Sequence, residues 1–67
     1  MINVIINGDP RKISSELDIY GLLKFLELNG SPLLVEHNGT ALLKSEWTTT
    51  FLRENDRVEL VSIVAGG

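Results

Sequence analysis

Asp18-Ile19-Tyr20-Gly21-Leu22-Leu23-Lys24-Phe25-Leu26-Glu27-Leu28-Asn29-Gly30-Ser31-Pro32 is the one stretch of this chain with a helical repeat. Ile19, Leu22, Leu23 and Leu26 fall at i, i+3, i+4 and i+7, which places them on a single helix face. Phe25 and Leu28 sit at the margins of that stripe, and Lys24 and Glu27 lie off it. Asp18 precedes the run, with a carboxylate able to accept N–H groups of the first turn, so it is the expected N-cap. Gly30 is expected to take the left-handed cap, and Pro32 blocks continuation. Gly21 within the helix costs about 1 kcal/mol relative to Ala, a cost that close approach to a strand would explain.

Outward from the helix, every other patterned segment reads as strand. Ile2 to Ile6 is β-branched apart from Asn3. Asn7-Gly8-Asp9-Pro10 holds residues that tolerate tight-turn dihedrals, so Arg11 to Ser14 is expected to return as a short second strand with Ile13 inward. Beyond the helix, Leu33 to Glu36 is a third strand, and Asn38-Gly39 turns it into Thr40 to Leu43. Ser45-Glu46-Trp47 is expected to form one helical turn, with Trp47 closing over the core edge. Glu54-Asn55-Asp56 is a polar turn before the last strand, Val58 to Val64. Val58, Leu60, Ser62 and Val64 would face one way and Glu59, Val61 and Ile63 the other, so this strand is apolar on both faces. Such a strand is either central or has one face meeting a partner. One amphipathic helix covers one face of one mixed sheet, a two-layer α+β arrangement. With the first and last strands as central neighbours, the chain end leaves from the middle of the sheet.

Sixty-seven residues allow one domain, residues 1–67, and no second. A chain of this size buries only about 60% of its unfolded surface, so the stability margin is thin. With no cysteine and one His, thiol catalysis, disulfides and a self-sufficient metal site are absent, and no catalytic constellation suggests itself. The 43% hydrophobic content supplies an apolar core. Net charge is −3, and the six Lys and Arg are scattered, which argues against nucleic acid. Met1-Ile2-Asn3-Val4 lacks the basic n-region of a signal peptide, and no run approaches the ~20 apolar residues of a membrane span. The expectation is a cytoplasmic protein, monomeric when free.

The chemistry is concentrated in the ending Ile63-Val64-Ala65-Gly66-Gly67. A terminal α-carboxyl ionises near pH ~3.5 and is a poor electrophile at neutral pH until another enzyme activates it, for example by transferring AMP from ATP. Glycines without side chains thread most easily into the narrow site of such an enzyme, so residues 65–67 read as a flexible tail. Gly67 and Gly66 are the candidate reactive residues. Ile63 and Ala65 are assigned to partner contact or to strand packing, which the sequence leaves open. Trp47 reads as a structural cap and His37, beside its turn, as solvated. Glu54, Asp56 and Glu59 form an acidic cluster near the last strand, either plain solvated surface or a charge contact with the activating enzyme.

The order of elements, the terminal Val64-Ala65-Gly66-Gly67, the Asn55-Asp56 turn and Trp47 some twenty residues before the end together resemble the ThiS family. These are sulfur carriers of thiamine biosynthesis with the ubiquitin-like β-grasp fold, and the resemblance covers the whole chain. Family members often carry Pro-Arg shortly before that Trp, where this chain has Leu43 and Lys44; Lys44 keeps the charge without the planar fork. The resemblance implies that a ThiF-like enzyme adenylates Gly67 using ATP, which that enzyme binds, so the chain itself holds no cofactor. A sulfur donor, usually served by a cysteine desulfurase, would then form a thiocarboxylate, and a ThiG-like thiazole synthase would take the sulfur. The chain would be a co-substrate and not an enzyme. Two alternatives share the activation chemistry: a MoaD-type carrier of molybdopterin synthesis, for which this chain is short, and a ubiquitin-like modifier that acylates a lysine.

Overall fold

The computed structural model describes residues 1–63. In chain order it contains β1 (Ile2–Ile6), β2 (Asp9–Ile13), α1 (Ile19–Phe25), β3 (Leu33–His37), β4 (Thr40–Leu42), a 3-10 turn at Lys44–Glu46, and β5 (Arg57–Ser62). The strands form one sheet in the order β2-β1-β5-β3-β4. β5 runs parallel to β1 and antiparallel to β3, so the last strand is the middle one, as the expectation of central first and last strands requires. This is the β-grasp arrangement, a mixed sheet packed on one helix.

Both Asn-Gly dipeptides do what their chemistry favours. Asn7 and Gly8 have φ of 49° and 85°, and Asn38 and Gly39 repeat those values. Two successive positive φ angles make the two-residue turn whose twist suits a hairpin. Register then follows: Ile6 faces Asp9 and His37 faces Thr40. The first turn is tighter than the sequence suggests, because Asp9 and Pro10 belong to β2 and not to the turn. Proline is tolerated there because β2 is an edge strand, where a missing ladder donor costs little.

Helix α1 begins as its sequence demands. The Asp18 carboxylate accepts from Gly21 N at 2.6 Å. The other early N–H groups are satisfied by a distant loop: Ile19 N donates to Thr50 O (3.0 Å) and Tyr20 N to Trp47 O (3.1 Å). No orphan donor remains in that first turn, so residues 47–50 and the helix start form one hydrogen-bonded unit. Gly21 makes no close approach to a strand. A Cβ there would lie 3.0 Å from Leu17 Cδ2 and 3.2 Å from Asp18 Oδ1, so the glycine clears its own cap.

The helix ends sooner than Gly30. Leu26 is the C-cap and Glu27, at φ 60°, takes the left-handed position. Leu28 N donates to Leu23 O (2.8 Å) and Glu27 N to Lys24 O (3.0 Å), the paired bonds of a Schellman motif. Leu28, half-buried, packs against the core from this position.

The core lies between α1 and one face of the sheet. Ile19, Leu22 and Leu23 from the helix meet Val4, Ile6, Ile13, Val35 and Val58, with Trp47 and Leu52 sealing one side. Trp47 is thus the structural cap expected. No helix among the described residues is long and apolar enough to cross a membrane.

Glu27 is exposed and makes no side-chain hydrogen bond among the described residues, so its side chain does nothing to offset the cost of the left-handed backbone. Glu27→Gly should stabilise the fold by about 0.5–1 kcal/mol, read as a raised denaturant midpoint at unchanged slope.

Candidate functional site

The residues that lead to the candidate tail are those of β5, and their neighbours hold that strand from both ends. At its start, Asn55 takes φ 69° and gives its N–H to Asn3 O at 2.7 Å. The Glu54 carboxylate accepts from Asn3 N and from Asn3 Nδ2, both at 2.9 Å. Those two bonds, the backbone one first, hold the Glu54 carboxyl below its ordinary pKa.

Asp56 goes further inward. It is 9% exposed, and its carboxylate accepts from Asn38 Nδ2 (3.1 Å) and Arg53 N (2.9 Å) and meets His37 Nε2 at 2.8 Å. Burial raises its pKa, but the bonds from His37, Asn38 and Arg53 outweigh burial and hold the carboxyl below the usual aspartate value. The backbone repeats the tie: Asn38 Oδ1 accepts from Arg57 N at 2.8 Å and Asn38 N donates to Arg57 O at 2.8 Å. His37 and Asp56 were expected at solvated positions. Both instead turn inward, because β3 and β5 pair with His37 opposite Val58 and bring the two side chains together. Of the expected acidic cluster, Glu59 alone is exposed without a hydrogen bond among the described residues.

Further along β5, the β1–β2 turn takes over. Asn7 N donates to Val58 O (2.9 Å), and Asn7 Oδ1 accepts from Leu60 N (2.7 Å). On the other side Ile63 N donates to Pro32 O at 3.0 Å, which extends the β3 contact one residue past the strand. Ile63 is 46% exposed. Ala65, Gly66 and Gly67 lie outside the described residues, as does Val64, the expected last residue of the strand.

Strand alternation puts Val61 on the face opposite the helix, at 51% exposure, directly across from Leu34 at 58%. Leu34 escaped the sequence reading, since its exposure depends on register. The signal that was available is the apolar doubling of adjacent strands, Leu33-Leu34-Val35 against Leu60-Val61. Elsewhere, a cleft of about 240 Å³ opens between the helix end and the first hairpin, bounded by Leu26, Leu28, Asp9 and Arg11. No group of three or more His, Asp or Glu converges among the described residues to hold a metal. At the departure from the family pattern, Glu46 Oε1 accepts from Leu43 N at 2.7 Å, a donor that proline would not supply. Lys44 Nζ lies 5.9 Å from the centre of the Trp47 ring, a cation–π contact.

The model of the ThiS family matches residues 4–67. The chain belongs to the ThiS family. The crystal structure of the thiamine biosynthesis protein ThiS from Geobacter metallireducens superposes with a TM-score of 0.86 at 28% identity, over 98% of this chain and all of that one. The uncharacterized protein ycf40 of Porphyra purpurea is 35% identical over 66 residues, 98% of this chain and 93% of its own length. A thiazole synthase of Paramagnetospirillum magneticum is 27% identical over 66 residues, and the matched stretch makes up 20% of that protein. The Geobacter ThiS structure shares the β-grasp fold expected from the sequence.

Because Asp56 is ionised more readily in the fold than in the unfolded chain, its contribution is complete above the unfolded pKa near ~4 and is lost as pH falls through the lower folded value. Asp56→Asn replaces one acceptor oxygen by an NH2 group facing donors. It should cost about 1–3 kcal/mol at pH 7 and flatten the loss of stability on acidification below about pH 5. Denaturant melts of both proteins from pH 7 to 3 check this.

Proposed function

We propose that the chain is a sulfur carrier for thiazole formation in thiamine biosynthesis, a co-substrate of other enzymes. The observation that carries this reading is the ThiS family match, which continues through Gly67, on a fold whose central strand leads into the terminal residues. A ThiF-like enzyme supplies the ATP site. One oxygen of the Gly67 carboxylate attacks the α-phosphorus of ATP, the bond to pyrophosphate breaks, and an acyl adenylate results. Hydrosulfide attacks the acyl carbon, AMP leaves with the oxygen and the thioacid proton is released, since AMP is a far better leaving group than oxide. Where the donor presents its sulfur as a persulfide, the acyl disulfide first formed is cleaved by a second thiol, which supplies the two electrons and leaves as a disulfide. The product is a thiocarboxylate at Gly67.

Thiazole synthase is the recipient in this scheme. The stretch similar to this chain within a protein named thiazole synthase supports that choice. The sheet contributes rigidity: with β5 fixed by Asn7, Asp56 and Pro32, the point from which the tail departs is defined relative to the outer face. Gly66 admits the tail to a narrow active site, and Ile63 and Ala65 contact the enzyme beside it.

Incubation with a ThiF-like enzyme, ATP and sulfide should exchange one oxygen for sulfur, mapped by intact-protein and fragment mass spectrometry to Gly67. Deleting Gly67, or adding one residue after it, should abolish both adenylate and product while the melting curve stays unchanged. An extended chain that still accepts sulfur refutes the terminal-carboxylate mechanism, and an adenylate that passes only to lysine amines makes the chain a modifier.

A further inference from the structure

Three Asn-Gly dipeptides occur in the chain, at Asn7-Gly8, Asn29-Gly30 and Asn38-Gly39. In each, the glycine has no Cβ to shield its backbone nitrogen, so that nitrogen can approach the carbonyl carbon of the asparagine side chain. The fold treats the three differently. Asn7 gives its N–H to Val58 O and accepts from Leu60 N through Oδ1 at 2.7 Å. Asn38 donates its N–H to Arg57 O, accepts from Arg57 N through Oδ1 (2.8 Å) and donates from Nδ2 to Asp56 Oδ1 (3.1 Å). Both sit at φ 49° in the hairpin turns. Asn29 and Gly30 are instead the central residues of an exposed turn, closed by Ser31 N donating to Leu28 O at 3.0 Å. Among the described residues the Asn29 side chain forms no hydrogen bond, and neither does the N–H of Asn29 or Gly30.

We infer that Asn29 is a site of spontaneous covalent modification, deamidation, and that the same fold protects Asn7 and Asn38. The Gly30 nitrogen gives up its proton to water and attacks Cγ of Asn29. A Cγ–N bond forms, the Cγ–Nδ2 bond breaks, and the Nδ2 group takes up a proton and leaves as ammonia. Water then opens the resulting cyclic imide at either carbonyl, which gives aspartate or isoaspartate. No oxidant, cofactor or enzyme takes part. At Asn7 or Asn38 the bonds that tie the residue to β5 and its loop must break first, so the reaction there waits on local opening of the sheet. At Asn29 no such bond stands in the way. The product also alters the backbone, because in isoaspartate the main chain runs through Cβ and Cγ and gains a methylene. That methylene and the new carboxylate enter the loop leading to Pro32, whose carbonyl accepts from Ile63 N at 3.0 Å. The lesion therefore falls on the segment that anchors the end of β5.

The test ages the full chain in mildly alkaline buffer and then digests it after glutamate. That cleavage places Asn7 in residues 1–16, Asn29 in 28–36 and Asn38 in 37–46. Mass spectrometry should find NH replaced by O in the 28–36 peptide, which elutes as two isomers. Its rate should exceed that of either other peptide by about tenfold or more, the factor that the lost hydrogen bonds imply. In concentrated denaturant the three rates should converge, because the protection of Asn7 and Asn38 belongs to the fold. Gly30→Ala tests the attacking nitrogen. A Cβ at Gly30 meets nothing within 4 Å, and Gly30, unlike Gly8 and Gly39, has no positive φ, so the variant should melt like wild type. It should slow the reaction at Asn29 severalfold and leave Asn7 and Asn38 unchanged. Modification of Asn7 or Asn38 within about twofold of Asn29 in the folded chain overturns the inference. So does an Asn29 rate that Gly30→Ala does not change, or a spread among the three sites that persists in denaturant.

Discussion

A carboxylate withdrawn from water must find donors, and Asp56 finds them on three segments at once. Its partners are the His37 ring at the end of β3, the Asn38 amide in the β3–β4 turn, and the Arg53 N–H of its own loop. Leaving such a group unmatched costs more than forming each bond returns, so the contacts come as a set. They fix the start of β5 against β3, and among the described residues β5 is the strand through which the two halves of the sheet meet. The β1–β2 hairpin and the β3–β4 hairpin are each local; without β5 in register they share no ladder.

The same strand organises the outer surface. Once His37 is set opposite Val58, the whole β3–β5 register follows, including the pairs Leu34–Val61 and Glu36–Glu59. A slip of one residue would exchange faces, sending Val58 to solvent and Val61 to the core. The inward polar clasp at one end of β5 and the uncovered apolar surface at the other are therefore parts of one alignment. Asn7 reinforces it from the β1 side by lending its side chain to Leu60 N where the backbone ladder of β1 has ended.

What the sequence made legible was mostly local. Asp18 as a cap, the Ile19–Leu26 stripe and both Asn-Gly turns are decided within a few residues, and the structure has them where the chain puts them. The helix end was misplaced because Glu27 does not advertise a left-handed backbone; the stop is held by the bonds Leu28 N–Leu23 O and Glu27 N–Lys24 O, with Leu28 packed against the core. Asp9 and Pro10 looked like turn residues and are strand residues, since edge position is a property of the sheet and not of the dipeptide. His37 and Asp56 were misjudged for a similar reason: their contact joins residues distant in sequence. Of the candidate site, Ile63 could be placed by strand alternation, whereas Gly66 and Gly67 are read through their chemistry and the family they share.

Parallel pairing of β1 with β5 also has a consequence for the birth of the protein. Ile5 and Arg57 become neighbours only after a loop of roughly fifty residues closes, an entropic cost of about 3–4 kcal/mol beyond the fixed part. During synthesis the β1–β2 hairpin, the helix and the β3–β4 hairpin are all made before β5, the strand that joins the two hairpins. A nascent chain that stops short of Arg57 has two hairpins without a common sheet. Completion of the globule thus waits on β5, and the outer face that β3 and β5 share exists only once that strand is in register.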